Sequence, residues 1–248
     1  MPPLDPIATL FILFVGILLP LVCFRSHRAL VRGMALPPRG RTHRSTLISL
    51  GVLTALALWV AWRVGMTLFP VPRLDLGLAG VAAAGVAGLV VAGVVRWKMR
   101  SAQARAWLVA ILPRTPRDFL MWLALCVAAG VGEEIVYRGV LFGTLEYWTG
   151  SWGVAAVLAA AAFGLAHLVQ GWAAAGVTFA MALLAQWLVL RAGDLYLAMA
   201  AHFTYDVAVG FLYARMARQD GLFAEEEAGG GVGAAGESSA PRAEPPAL

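Results

Sequence analysis

The chain has 248 residues, 60% of them hydrophobic and 13% charged, with a formal net charge of +5. Its apolar residues collect in blocks of about twenty, so the fold class is all-α: a polytopic transmembrane helical bundle. Cys23 and Cys126 both lie in apolar blocks and support no disulfide framework, and the absence of asparagine excludes N-glycosylation sequons.

Hydropathy places the first span at 7–24. It lacks a preceding basic segment and a small-residue cleavage site, and is expected as a retained span, not a signal peptide. Further spans are expected at 45–69, 76–95, 119–148, 152–168, 173–190 and 195–216, about seven in all. The third carries Gly80, Ala84, Gly88 and Ala92 one per turn, a stripe expected to receive another helix. Gly132 and Gly139 are expected to permit close helix approach, and Gln186 to make an interhelical hydrogen bond. Tyr137, Trp148, Trp172 and Tyr205 read as core or interfacial-belt aromatics.

Basic residues crowd the first loop (Arg25, Arg28, Arg32, Arg39, Arg41, Arg44) and the third (Arg96, Lys98, Arg100, Arg105, Arg114, Arg117), which puts both in the cytoplasm. Topology and attraction to anionic headgroups account for the net charge, so no nucleic-acid partner is inferred. Three regions follow: N-terminal spans with basic loops at 1–113, a catalytic helical core at 114–218, and a tail at 219–248 with too little apolar content to repay ordering. No proline falls between Arg117 and Ala240, so the later spans read as unbroken helices.

The chemistry sits in those later spans. A carboxylate at membrane depth costs roughly 2.5 to 3.5 kcal/mol on insertion scales, and such groups mark functional sites. Glu133 and Glu134 are adjacent in AGVGEEIVYRGVLF. On an α-helix Glu134 shares a face with Arg138, giving a structural ion pair, while Glu133 is turned about 100° away and left as the candidate acid or base. His167 lies in FGLAH, and His202 and Asp206 lie four residues apart in HFTYD. Convergence of Glu133, His167, His202 and Asp206 on one cavity among the later helices explains their presence better than four unrelated core residues. Counting about 1.5 Å per residue nevertheless puts Glu133 and His202 nearer the outer side than His167. A single site then requires tilt, unequal span ends or a surface segment before Phe119.

The set Glu133-Glu134-x-x-x-Arg138, Phe163-x-x-x-His167 and His202-x-x-x-Asp206 resembles the three motifs of the CPBP intramembrane proteases, which include the CAAX prenyl endopeptidases and bacterial Abi-type immunity proteins. The likeness runs from about Arg114 to Arg215. It implies peptide-bond hydrolysis, with Glu133 and His167 activating a water and His202 with Asp206 stabilising the tetrahedral oxyanion. The partners it implies are the lipid bilayer and a membrane-associated protein or peptide substrate. Two water-activation schemes stay open: metal-free glutamate catalysis, and a bound Zn²⁺ with His167 and His202 among its ligands. Two other functions use the same residue types: a proton-coupled transporter, and a catalytically silent immunity or scaffold protein. One lysine against 18 arginines, with abundant Ala and Gly, points to a bacterial inner membrane, with maturation or sorting of proteins favoured over prenylated-protein processing.

Overall fold

The computed structural model describes residues 5–34, 37–73, 75–100, 105 and 108–224, and among these it contains helices and no strand. Seven apolar helices follow in order: α1 (Pro6–Val31), α2 (Arg39–Val64), α3 (Leu76–Met99), α4 (Pro116–Thr149), α5 (Trp152–Ala166), α6 (Trp172–Ala192) and α7 (Tyr196–Gln219). Six are long and apolar enough to cross a membrane, and α5 is the shorter one. The all-α multi-pass bundle expected from hydropathy is therefore present.

Local chemistry sets the helix ends. At the start of α4, Thr115 Oγ1 accepts the Asp118 amide at 3.2 Å while Asp118 Oδ2 accepts the amides of Arg114 and Thr115, both at 3.1 Å, with Pro116 as the first helical residue. This reciprocal cap satisfies donors that the first turn would leave orphaned. Arg39, at the start of α2, reaches the same corner: its Nε donates to Ala110 O at 3.1 Å and its Nη1 lies 3.7 Å from Asp118 Oδ2.

Two helices widen locally into π turns. In α1 the π segment is Phe14–Leu18, directly before Pro20, which has no amide to donate and whose ring crowds the preceding turn. In α4 it is Glu134–Leu141, with no proline nearby. The α-helical spacing expected around Glu134 is thus a π turn, a distortion that gathers at functional sites.

The apolar helices differ in length. Fifteen residues give α5 a length of about 22 Å, short of a hydrocarbon core of about 30 Å. His167 caps its C-terminus, a single 3₁₀ turn (Leu168–Gln170) follows, and Gly171 at φ +93° redirects the chain into α6. Only glycine holds that backbone conformation without strain.

One core unites early and late helices. Phe11 and Val15 of α1, Val60 of α2, Ile135 and Val140 of α4, and Phe163 of α5 are buried in a single cluster. The expected division at residue 113 therefore does not separate two cores. A second, smaller cluster joins Trp97, Val109, Leu112, Tyr213 and Ala217, and Leu222 and Phe223 pack against it.

That second cluster moves one expected boundary. Helix α7 runs through Gln219, Asp220 Oδ2 accepts from Trp97 Nε1 at 3.1 Å and from Arg105 Nη1 at 3.3 Å, and the Phe223 ring lies 4.8 Å from the Arg114 guanidinium. The first residues assigned to the tail are thus packed on the bundle through a charge pair and an aromatic anchor, two isolated features that a low mean hydropathy conceals. The rest of the expected tail, 225–248, lies outside the described residues.

Two packing expectations are also corrected. Gly80, Ala84, Gly88 and Ala92 are all exposed, and α3 turns a different set inward: Ala82, Gly85 against Leu184, and Gly93 against Tyr213. Gln186 is buried, but its Nε2 has no hydrogen-bond partner among the described residues. Gly132 and Gly139 meet expectation: a side chain on Gly132 would strike Thr54, and one on Gly139 would meet Leu68 Cδ2 at 2.9 Å. Both cysteines are free.

Candidate active site

Glu133 ends the regular turns of α4 and Glu134 begins its π segment, the end of α5 supplies His167, and the first half of α7 supplies His202 and Asp206. Glu134 is fully buried and pairs with Arg138, with 3.2 Å between Glu134 Oε1 and Arg138 Nη1. The predicted ion pair is therefore present, across a π turn instead of an α turn. The same Oε1 accepts a hydrogen bond from His202 Nδ1 at 2.8 Å. That contact joins residues 68 apart and has no signature in the sequence. Because the Arg138-paired carboxylate can only accept, Nδ1 carries the proton and His202 presents Nε2 to the other side.

His202 Nε2 faces Glu133 Oε2 at 3.7 Å and Asp206 Oδ2 at 3.6 Å. Both distances exceed a direct hydrogen bond and lie within ion-pair range. Asp206 is held from behind: its backbone carbonyl accepts from Trp122 Nε1 at 3.3 Å. His167 Nδ1 donates to Phe163 O at 2.9 Å, a carbonyl that cannot donate back, so its Nε2 lone pair is free.

Phe163 is the hub that the motif spacing left without a role. Its ring lies 4.6 Å from the His167 ring, 6.1 Å from that of His202 and 4.8 Å from Tyr137, and the Arg138 guanidinium stacks over it at 4.2 Å. One aromatic side chain thus fixes the relative position of both histidines and partners the arginine through its π face.

The adjacent glutamates open onto different cavities. Glu133 lines a hollow of about 1320 Å3 together with Tyr137 and His167, and its walls include Cys23 of α1 and Leu53 of α2. Glu134 lines a separate cavity of about 50 Å3 with Arg138, Phe163, His202 and Tyr205. Glu134 Oε2 has no hydrogen-bond partner among the described residues. The separation expected from helical geometry is thus observed as a separation between two cavities. The walls of the larger one also show that helices outside the motif-bearing region help to build the site.

A tight helix contact keeps α7 in register with α4. A Cβ on Gly130 would come within 2.9 Å of the Phe203 amide nitrogen, so only glycine lets the backbone beside His202 approach this closely. For Zn²⁺ the donors do not fit: among the described residues no three His, Cys, Asp or Glu side chains form a group that could hold a metal ion. His167 and His202 are both at the site, yet no ligand set forms around them.

The fold and the site together define an integral, multi-pass membrane protein with its ionisable residues gathered inside the bundle. Residues 115–208 match the family model described as type II CAAX prenyl endopeptidase Rce1-like. That segment runs from the cap of α4 to just past Asp206 and contains every candidate site residue, so the match falls on the part of the chain that carries the three motifs. Comparison with curated proteins and with solved structures gives no match.

Proposed function

We propose that the protein is an intramembrane endopeptidase that hydrolyses a peptide bond of a membrane-associated polypeptide with a water activated by Glu133 and His167. The observation that carries this reading is that Glu133 and His167 line one hollow while His202, fixed through Glu134, holds Nε2 3.7 Å from Glu133 Oε2. The water lies between the Glu133 carboxylate and His167 Nε2. Glu133 takes a proton as the water oxygen bonds to the scissile carbonyl carbon, and the carbonyl oxygen becomes the oxyanion.

His202 serves that oxyanion. With one proton committed to Glu134, a second at Nε2 makes it a donor aimed into a water-poor cavity, where such a bond is worth far more than in water. Asp206 faces the same nitrogen and holds the ring's charge and orientation. Collapse of the intermediate breaks the C–N bond, and Glu133 returns its proton to the leaving amine. Protein maturation or sorting in a bacterial inner membrane is the setting that composition favours.

The test is hydrolysis of membrane-anchored peptides by purified protein, before and after rigorous chelation, with metal content measured in parallel. Activity retained in metal-free protein supports the glutamate scheme. Stoichiometric zinc in active protein, with activity lost on its removal and regained on its return, overturns it.

A further inference from the structure

The hollow that holds Glu133 and His167 is not apolar throughout. His27, Arg96 and Arg100, from the ends of α1 and α3, also line it. Arg96 is tied to the bundle by one bond, from Nη1 to Ala173 O at 3.1 Å. Arg100 packs its guanidinium 5.6 Å from the Tyr213 ring, and its Nη1 is buried with no hydrogen-bond partner among the described residues. Neither arginine has a carboxylate partner within ion-pair distance among the described residues, whereas Arg39, Arg105 and Arg138 each have one. A buried guanidinium N–H without an acceptor costs free energy, and a hollow of this size gives an acceptor room to enter.

We infer that Arg100, assisted by Arg96, is a subsite for a carboxylate of the substrate: the peptide lies through the hollow with its scissile bond at Glu133 and His167 and an acidic group on the two arginines. This deepens the peptidase reading and rests on it. A carboxylate fits because the planar guanidinium fork matches its two oxygens, and a peptide fits because Glu133, His167 and both arginines line the same hollow. The carboxylate comes either from the chain terminus or from an acidic side chain.

Binding separates these sources without requiring turnover. The probe is an acylated, dye-labelled Leu/Ala peptide in three forms: a free C-terminal acid, the C-terminal amide, and the amide with one Glu near its end. Anisotropy is read with full-length Glu133→Gln protein in zwitterionic nanodiscs. At least one carboxylate form is expected to bind about tenfold or more tighter than the plain amide, in line with a charge-assisted hydrogen bond. Which form gains identifies the source. Arg100→Gln should remove that advantage and leave amide binding unchanged, while Arg105→Gln, whose partner is Asp220, should leave all three affinities as they were.

Equal binding of all three forms, or equal weakening of all three by Arg100→Gln, overturns the subsite. So does loss of the advantage when phosphatidylglycerol is added to the nanodisc, which would assign the arginines to a lipid headgroup. If the carboxylate advantage holds but wild-type protein cleaves none of the peptides, the subsite stands and the catalytic reading fails.

Discussion

Glu133 and Glu134 share a peptide bond, yet each faces different neighbours, and opposite consequences of substitution follow. Among the described residues Glu133 has no polar partner closer than 3.7 Å, so Glu133→Gln removes a proton acceptor while leaving packing intact. Turnover should fall by about 10²- to 10⁴-fold with an unchanged melting temperature, and near-normal turnover would remove Glu133 from the mechanism. Glu134 is held by Arg138 and His202 in a fully buried position. Arg138→Ala strands that carboxylate, which should cost about 3–5 kcal/mol and show as lost folded yield in detergent. Normal yield with lost activity would shift the pair from a structural to a catalytic role. The spacing of four residues made the Glu134–Arg138 pair legible in the sequence. The His202 contact was not, because no local pattern encodes a bond across 68 residues.

At the scale of helices, the spans were legible because a block of apolar residues near twenty long has few alternatives. What the sequence did not disclose was which face of a helix turns inward. Small residues on α3 occur on more than one face, and the stripe at Gly80, Ala84, Gly88 and Ala92 is the outward one. Gly130 is the reverse case, an unremarked glycine on which the site depends. Gly130→Val would push against the backbone at Phe203 and displace the turn carrying His202, so activity and thermal stability should fall together. A Cβ on Gly88 meets nothing within 4 Å, so Gly88→Ala should leave both unchanged when assayed in the same detergent. A Gly130→Val protein with full activity would show that α7 tolerates the displacement.

For the whole molecule, the family match begins at residue 115, but the walls of the hollow do not. Cys23, Leu53 and Arg100 lie upstream of it and line the same cavity as Glu133. A fragment starting at 114 should therefore fail to accumulate as a folded, active protein, and full hydrolysis by such a fragment would show the early helices to be dispensable. At the other end, chain removal should act in two stages. Truncation after Ala224 removes a polar segment without packing periodicity and should leave stability and hydrolysis unchanged. Truncation after Arg218 also removes Asp220 and Phe223 and should lower the melting temperature through loss of the Trp97 hydrogen bond and of the ring beside Arg114. Equal stability of the two truncated chains would mean that these contacts contribute nothing measurable.

The π segment in α4 can also be viewed as a phase shift. Each residue of an α-helix advances the face by about 100°, and a π turn accommodates a surplus residue. The stretch before Glu134 is in phase with α2 and α7 through Gly132 and Gly130, and the stretch after it is in phase with the core through Val140 and Leu141. Neither phase is correct for the other half. Deleting Ile135 alone would let α4 become a regular α-helix and bring the halves into one phase, which turns one set of contacts out of place. That deletion should therefore abolish folded yield, while Ile135→Ala, which changes volume and not phase, should only lower stability. The membrane span is continuous, but as a pattern of faces it is two helices joined end to end, and both glutamates sit at the joint.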